Sequence, residues 1–69
     1  MEKKMVINGM KCMHCKATVE KALKEVPGVS DAEVDLDEKT ATITLEKKIS
    51  DDVLLEKVRE KGFEPVRIV

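Results

Sequence analysis

Two short stretches near the middle of the chain alternate apolar and polar side chains with a period of two. In the first, Ala32, Val34 and Leu36 face one way and Asp31, Glu33, Asp35 and Asp37 the other. In the second, Ala41, Ile43 and Leu45 alternate with Thr40, Thr42, Thr44 and Glu46. Only Asp37-Glu38-Lys39 lies between them, and two alternating runs around a short polar turn form a β-hairpin.

The flanking segments are arranged around this hairpin. Met5-Val6-Ile7 reads as a short strand ended by Gly9. From Cys15 the period changes to that of a helix: Val19, Ala22, Leu23 and Val26 continue one apolar stripe, with Lys16, Glu20, Lys21 and Lys24 outside it. Pro27-Gly28 stops that helix. Ser50 is a suitable N-cap for a second helix, and Asp51 and Asp52 in its first turn suit the helix dipole. Leu54, Leu55 and Val58 form its inner stripe, and Gly62 stands at the C′ position after Arg59 and Lys61. Pro65 to Val69 reads as a final strand, the proline placing it at a sheet edge or a strand start. The order βαββαβ predicts an α+β, ferredoxin-like fold: a four-stranded antiparallel sheet with two helices on one face.

Sixty-nine residues form one small domain with a thin core. The only two cysteines, Cys12 and Cys15, are three apart, so a bond between them would restrain the unfolded chain little. Stability therefore has to come from regular structure. The chain starts at a Met and stops as the last strand ends, and the expectation is a complete small protein with residues 1–69 as one domain. The first residues lack the apolar run of a signal peptide and no segment is long enough to span a membrane, which points to the cytoplasm, where thiols stay reduced.

Charge is unevenly placed. Residues 1–28 carry six lysines against three glutamates, whereas residues 29–69 carry seven basic and eleven acidic side chains. The net charge of −1, with one Phe and no Trp or Tyr, argues against a nucleic-acid binder. The basic half holds the cysteines. It reads either as a solvated helix face or as a docking surface for an acidic partner.

The chemistry sits in Gly9-Met10-Lys11-Cys12-Met13-His14-Cys15. This segment joins the first strand to the first helix, with Cys15 in the helix's first turn. Unpaired N–H groups and the dipole at a helix start favour thiolate, with Lys11 and Lys16 alongside. Two sulfurs three residues apart converge on one point, where a soft metal ion offsets their repulsion. Structural zinc wants four ligands, and this chain offers two Cys and one His. Cu(I) is satisfied by two or three soft ligands, and Ag(I) and Hg(II) share that preference. A two-thiolate site on an exposed loop also admits a third thiolate and suits transfer. His14 is either an accessory ligand or a solvent-facing loop residue. Met13 is read as surface, and Met10 as a gap-filler in the core beneath the loop. A helix-start CxxC also fits a thiol–disulfide oxidoreductase, although no Trp flanks it here.

The motif GMxCxxC in this frame, with Pro27-Gly28-Val29 and Gly62-Phe63, resembles the heavy-metal-associated domains. These include soluble copper chaperones, N-terminal domains of copper-transporting P-type ATPases and periplasmic mercury-binding proteins. The resemblance implies a non-enzymatic carrier of Cu(I) on Cys12 and Cys15, with Met10 and Phe63 around the site. It implies transfer by thiolate exchange to the metal-binding domain of a copper-transporting P-type ATPase or to a copper-responsive regulator. It also implies a monomer when metal-free, able to dimerise around a shared ion. Lys11 stands where zinc- and lead-handling relatives carry Asp, which favours Cu(I). Phe63, where many free-standing bacterial chaperones have Tyr, is more similar to the ATPase domains.

Overall fold

In the computed structural model, which describes all 69 residues, the hairpin forms from β2 (Val29–Asp35) and β3 (Thr40–Leu45). The register Ala32↔Ile43 and Val34↔Ala41 puts these four side chains on one buried face. The turn spans Leu36 to Lys39, one residue more than expected. Its shape comes from Asp35, whose Oδ1 accepts the N–H groups of Asp37 at 2.9 Å and Glu38 at 3.1 Å.

The other elements are β1 (Glu2–Asn8), α1 (Met13–Lys24), α2 (Asp51–Glu60) and β4 (Glu64–Ile68). The sheet order is β2-β3-β1-β4, and every neighbouring pair is antiparallel. Both helices cover the same face, as the βαββαβ order predicts. The core contains Met5, Ile7, Val19, Leu23, Ile43, Leu54 and Val58, all fully buried. Burying each such side chain contributes about 1.5–3 kcal/mol before chain entropy is subtracted.

β1 extends three residues before the apolar run that announces it. Backbone pairing with β3, opposite Thr44, Ile43 and Thr42, holds Glu2 to Lys4 whatever their side chains. Lys3 shares the helix-covered face with Met5 and Ile7. Its ammonium donates to the Ile49 carbonyl at 3.1 Å and pairs with Asp51, tying β1 to the start of α2. α1 begins at Met13, two residues before its apolar stripe, and ends at Lys24. Val26 is buried beyond the helix end. Glu20, expected outside, turns down to the β2 edge, where Oε2 accepts the Val34 N–H at 2.9 Å. Lys16 is half-buried on that same flank.

α2 begins as expected, the Ser50 hydroxyl accepting the Asp52 N–H at 3.3 Å. Leu54 and Val58 are buried, but Leu55 lies on the flank and is half-buried. β4 is an edge strand with Pro65 as its second residue, so the missing N–H costs no central ladder bond.

α1 stops at Lys24 with Glu25 as its C-cap, three residues before Gly28, so Gly28 shapes the entry to β2 at φ +100° rather than the helix end, whereas Gly62 follows the α2 cap at φ +89°. Alanine is strained at both, costing about 1–2 kcal/mol. At Gly28 a Cβ would also stand 2.8 Å from Lys47 Cε and 2.9 Å from Ile49 Cδ1, whereas at Gly62 nothing lies within 4 Å. In urea denaturation, Gly28→Ala is therefore expected to cost about 2–4 kcal/mol and Gly62→Ala about 1–2 kcal/mol. Equal costs would show that the β2 entry relaxes around the added methyl.

Candidate metal centre

Three connections meet at one end of the sheet. Antiparallel pairing brings the end of β1, the start of β3 and the start of β4 together. Ile7 N–H donates to Lys39 O at 2.8 Å, and Asn8 Nδ2 donates to Glu64 Oε1 at 3.1 Å. The segment Gly9–Cys12 emerges here. Met10 is 7% exposed and belongs to the core, so it pins the loop from below. The Phe63 ring packs on the core and against Gly9, where a Cβ would lie 3.8 Å from its Cδ1. The two residues expected to surround the loop thus lie beneath it and beside its first residue.

Cys12 is the N-cap of α1, with extended backbone at φ −156°, and its carbonyl accepts the Lys16 N–H at 3.1 Å. Cys15 sits in the first turn and its side chain packs against the core. The two sulfurs are 3.6 Å apart and both thiols are free. Cys12 is exposed and Cys15 half-buried, an asymmetry the motif alone does not reveal. Its one sequence signal is that Cys15 opens the apolar stripe of α1.

The start of a helix leaves N–H groups without intrahelical partners. The Cys12 side chain closes no capping hydrogen bond of regular geometry, yet these groups face its sulfur. The Cys15 N–H, then the Cys15 thiol, then the His14 N–H hold the Cys12 thiol below its ordinary pKa, against a small opposing effect of desolvation. Lys11 and Lys16, expected to assist, are not among the causes. The arrangement therefore favours a sulfur anion at Cys12, held first by backbone N–H groups and second by the neighbouring thiol.

His14 and Met13 lie in the first turn of α1 and are exposed, Met13 by 66%. The His14 carbonyl accepts the Thr18 hydroxyl at 3.0 Å. No three His, Cys, Asp or Glu side chains converge anywhere on the molecule to hold a metal ion, so His14 does not complete a cluster with the two sulfurs. The site offers two soft donors on an open surface.

Because its pKa is lowered, Cys12 should alkylate with iodoacetamide at a midpoint below the value of about 8.5 for a free thiol. In Cys15→Ala the thiol contact is lost but both N–H groups remain. The midpoint should then rise while staying below the ordinary value. Rate against pH, with the adduct located by peptide mass spectrometry, checks both; an unshifted Cys12 would refute the capping account.

Residues 5–64 match the profile of the heavy-metal-associated domain. Over 59 residues the chain is 49% identical to copper-transporting ATPase 2 of Rhizobium meliloti (strain 1021), covering 84% of this chain and 7% of the ATPase. Over 64 residues it is 36% identical to the copper chaperone CopZ of Staphylococcus epidermidis, covering 91% of this chain and 94% of the chaperone. A solved CopZ metallochaperone superposes with a TM-score of 0.90 at 27% identity, covering 96% of this chain and all of the other. The chain therefore spans a small fraction of the ATPase and nearly the whole of the chaperone. With the family profile running from the first buried residue of β1 to the start of β4, the chain belongs to the heavy-metal-associated domain family.

Proposed function

We propose that this chain is a metal carrier, not an enzyme: it binds one Cu(I) through Cys12 and Cys15 and passes it to a like-folded domain of a copper-transporting P-type ATPase. The observation that carries the proposal is the pair of sulfurs 3.6 Å apart, one exposed on the helix cap and one half-buried in the first turn. Two soft donors suit Cu(I) and leave zinc short of its usual four ligands. Ag(I) and Hg(II) fit the same donors as surrogates.

Transfer follows from the openness of the site. An incoming thiolate forms a third sulfur bond to the ion, and one of the original sulfur bonds then breaks. The ion stays Cu(I) throughout, so no electron donor is needed. Cys12, the more exposed sulfur, is the one an incoming ligand reaches first. Met10 and the Phe63 ring hold the loop while this occurs. A copper-responsive regulator is a second acceptor of the same kind.

A second reading has its own support. The 49% identity to an ATPase favours a metal-binding domain belonging to such a transporter, whereas the 36% identity to CopZ favours a chaperone. The length of the reading frame separates them. The oxidoreductase alternative is separated by an insulin-reduction assay, in which a carrier is expected to be inactive.

Titration should give one Cu(I) per chain, abolished by Cys12→Ser or Cys15→Ser. X-ray absorption with excess glutathione should show a shell of sulfur only. Nitrogen in that shell would make His14 a ligand.

Transfer itself tests the basic rim. Lys21 has no acidic partner, and Lys24 is 3.6 Å from Asp31 with both side chains more than half exposed. Such exposed pairs contribute only about 0–1 kcal/mol, so Lys24 is available to a partner. Reversing Lys21 and Lys24 to Glu should leave Cu(I) binding unchanged. It should slow transfer to an ATPase domain at low salt, with the difference fading as salt rises. Equal rates at low salt would make these lysines a solvated face.

A further inference from the structure

Asn8 is the only asparagine of the chain, and there is no glutamine, so Asn8 carries the single side-chain amide. Gly9 follows it. Asn8 is the last residue of β1, and both residues are exposed. The amide makes one hydrogen bond, Nδ2 donating to Glu64 Oε1 at 3.1 Å across the β1–β4 pair. Gly9 lies just past the strand at φ +96°, and its N–H finds no acceptor within the chain. The Phe63 ring covers one side of Gly9, where a Cβ would lie 3.8 Å from Cδ1. With no side chain of its own, Gly9 leaves its nitrogen otherwise unshielded.

An asparagine followed by glycine can close a ring on itself. The Gly9 nitrogen attacks the Asn8 side-chain carbonyl carbon, and the new C–N bond forms a five-membered imide. The side-chain nitrogen leaves as ammonia, taking the proton from the Gly9 N–H. Water then opens the ring. Cleavage of the bond to the side-chain carbonyl gives aspartate. Cleavage of the bond to the main-chain carbonyl gives isoaspartate, in which the backbone runs through the side-chain carbon. No oxidant or reductant enters. Asparagine is thermolabile, and glycine removes the steric barrier that a Cβ places beside the attacking nitrogen. Here the extended strand and the Glu64 carboxylate hold the amide away from Gly9. The hold is light, because β4 is an edge strand and Glu64 is its first residue, and such ends open locally at little cost.

We infer that Asn8-Gly9 is a spontaneous deamidation site, converting Asn8 to aspartate and isoaspartate, and that the Glu64 carboxylate restrains the conversion. Either product replaces the Asn8–Glu64 hydrogen bond with two carboxylates facing each other across the β1–β4 pair, where like charges destabilise. Isoaspartate also lengthens the main chain by one methylene, at the point where β1 passes into the loop pinned by Met10 and Phe63. The reaction touches neither cysteine and needs no metal ion. It nevertheless falls at the base of the loop that carries Cys12.

Ageing the folded, metal-free chain in near-neutral buffer with a reductant tests the inference. The unaltered chain should yield a more acidic species on anion exchange, heavier by the exchange of NH2 for OH. Trypsin releases residues 5–11 as one peptide, and fragmentation should place both aspartate and isoaspartate at position 8. Asn8→Gln, whose longer side chain has to close a six-membered ring, should stay unconverted. Glu64→Ala should convert severalfold faster, with circular dichroism showing that it is folded. The purified isoaspartate form should unfold at a lower urea concentration than Asn8→Asp, which keeps the normal main-chain length. A folded chain that stays unconverted while the chain in urea converts fully, or a product that is aspartate alone, overturns the inference. An unchanged rate in Glu64→Ala overturns the restraint assigned to that carboxylate.

Discussion

α1 starts on a cysteine, and the properties of the metal end depend on that placement. An ordinary N-cap oxygen accepts the free N–H groups of the first turn and stabilises the helix by about 1 kcal/mol. Here a sulfur takes the position, with the N–H groups of Cys15 and His14 facing it. Sulfur is a poorer acceptor than oxygen, and no regular capping bond forms. Helix stability is exchanged for a thiol that loses its proton more readily. Removing the site would therefore free the position for a better cap, a conflict between local stability and function of the kind expected at a binding site.

A cap of this kind is useful only if its position is fixed. β1 lies between β3 and β4, so its end cannot move without breaking two ladders. Met10 then plugs the loop into the core, and the Phe63 ring closes on Gly9 from the other side. The loop is thus held at its base and from beneath, while Lys11, Cys12, Met13 and His14 remain exposed. Cys15 belongs to the anchored part, since its side chain packs on the core. One sulfur is fixed and the other is presented, which lets an incoming ligand approach without loosening the fold.

Much of this was legible in the sequence because it rests on periodicity. The alternation of Ala32, Val34, Ala41, Ile43 and Leu45 specified the hairpin, and the Ser50 cap and Gly62 bounded α2 within a residue. What escaped depends on contacts between distant segments. Lys3 occupies a core-side position in β1, which alternation alone would assign to an apolar residue; only the nearby Ile49 carbonyl and Asp51 make it tolerable. Glu20 looks like a solvated helix residue until the exposed edge of β2 appears beside it with a free N–H. At the candidate site, the choice of Cys12 and Cys15 rests on spacing and residue type. The backbone origin of the Cys12 shift could not be read that way, because lysines next to the motif in sequence offered an equally simple account.

Glu20 also shows how a small sheet manages its edges. β2 is an outer strand, and its unpaired N–H groups could template pairing with another chain. The Val34 N–H is taken by Glu20, and the Ala32 N–H by the Asp31 carboxylate at 2.9 Å. At the other edge Pro65 removes a donor outright, and the register shifts between Val6 and Ile7 where β4 pairs with β1. Both edges are thus blunted, by carboxylates on one side and by proline on the other. With the sheet edges blunted, the surfaces left for recognition are the helix layer and the metal end. The carrier proposed above would have to meet its acceptor often and release it readily; exposed charge on helices would allow both, whereas a shared strand ladder would bind too firmly and with too little selectivity.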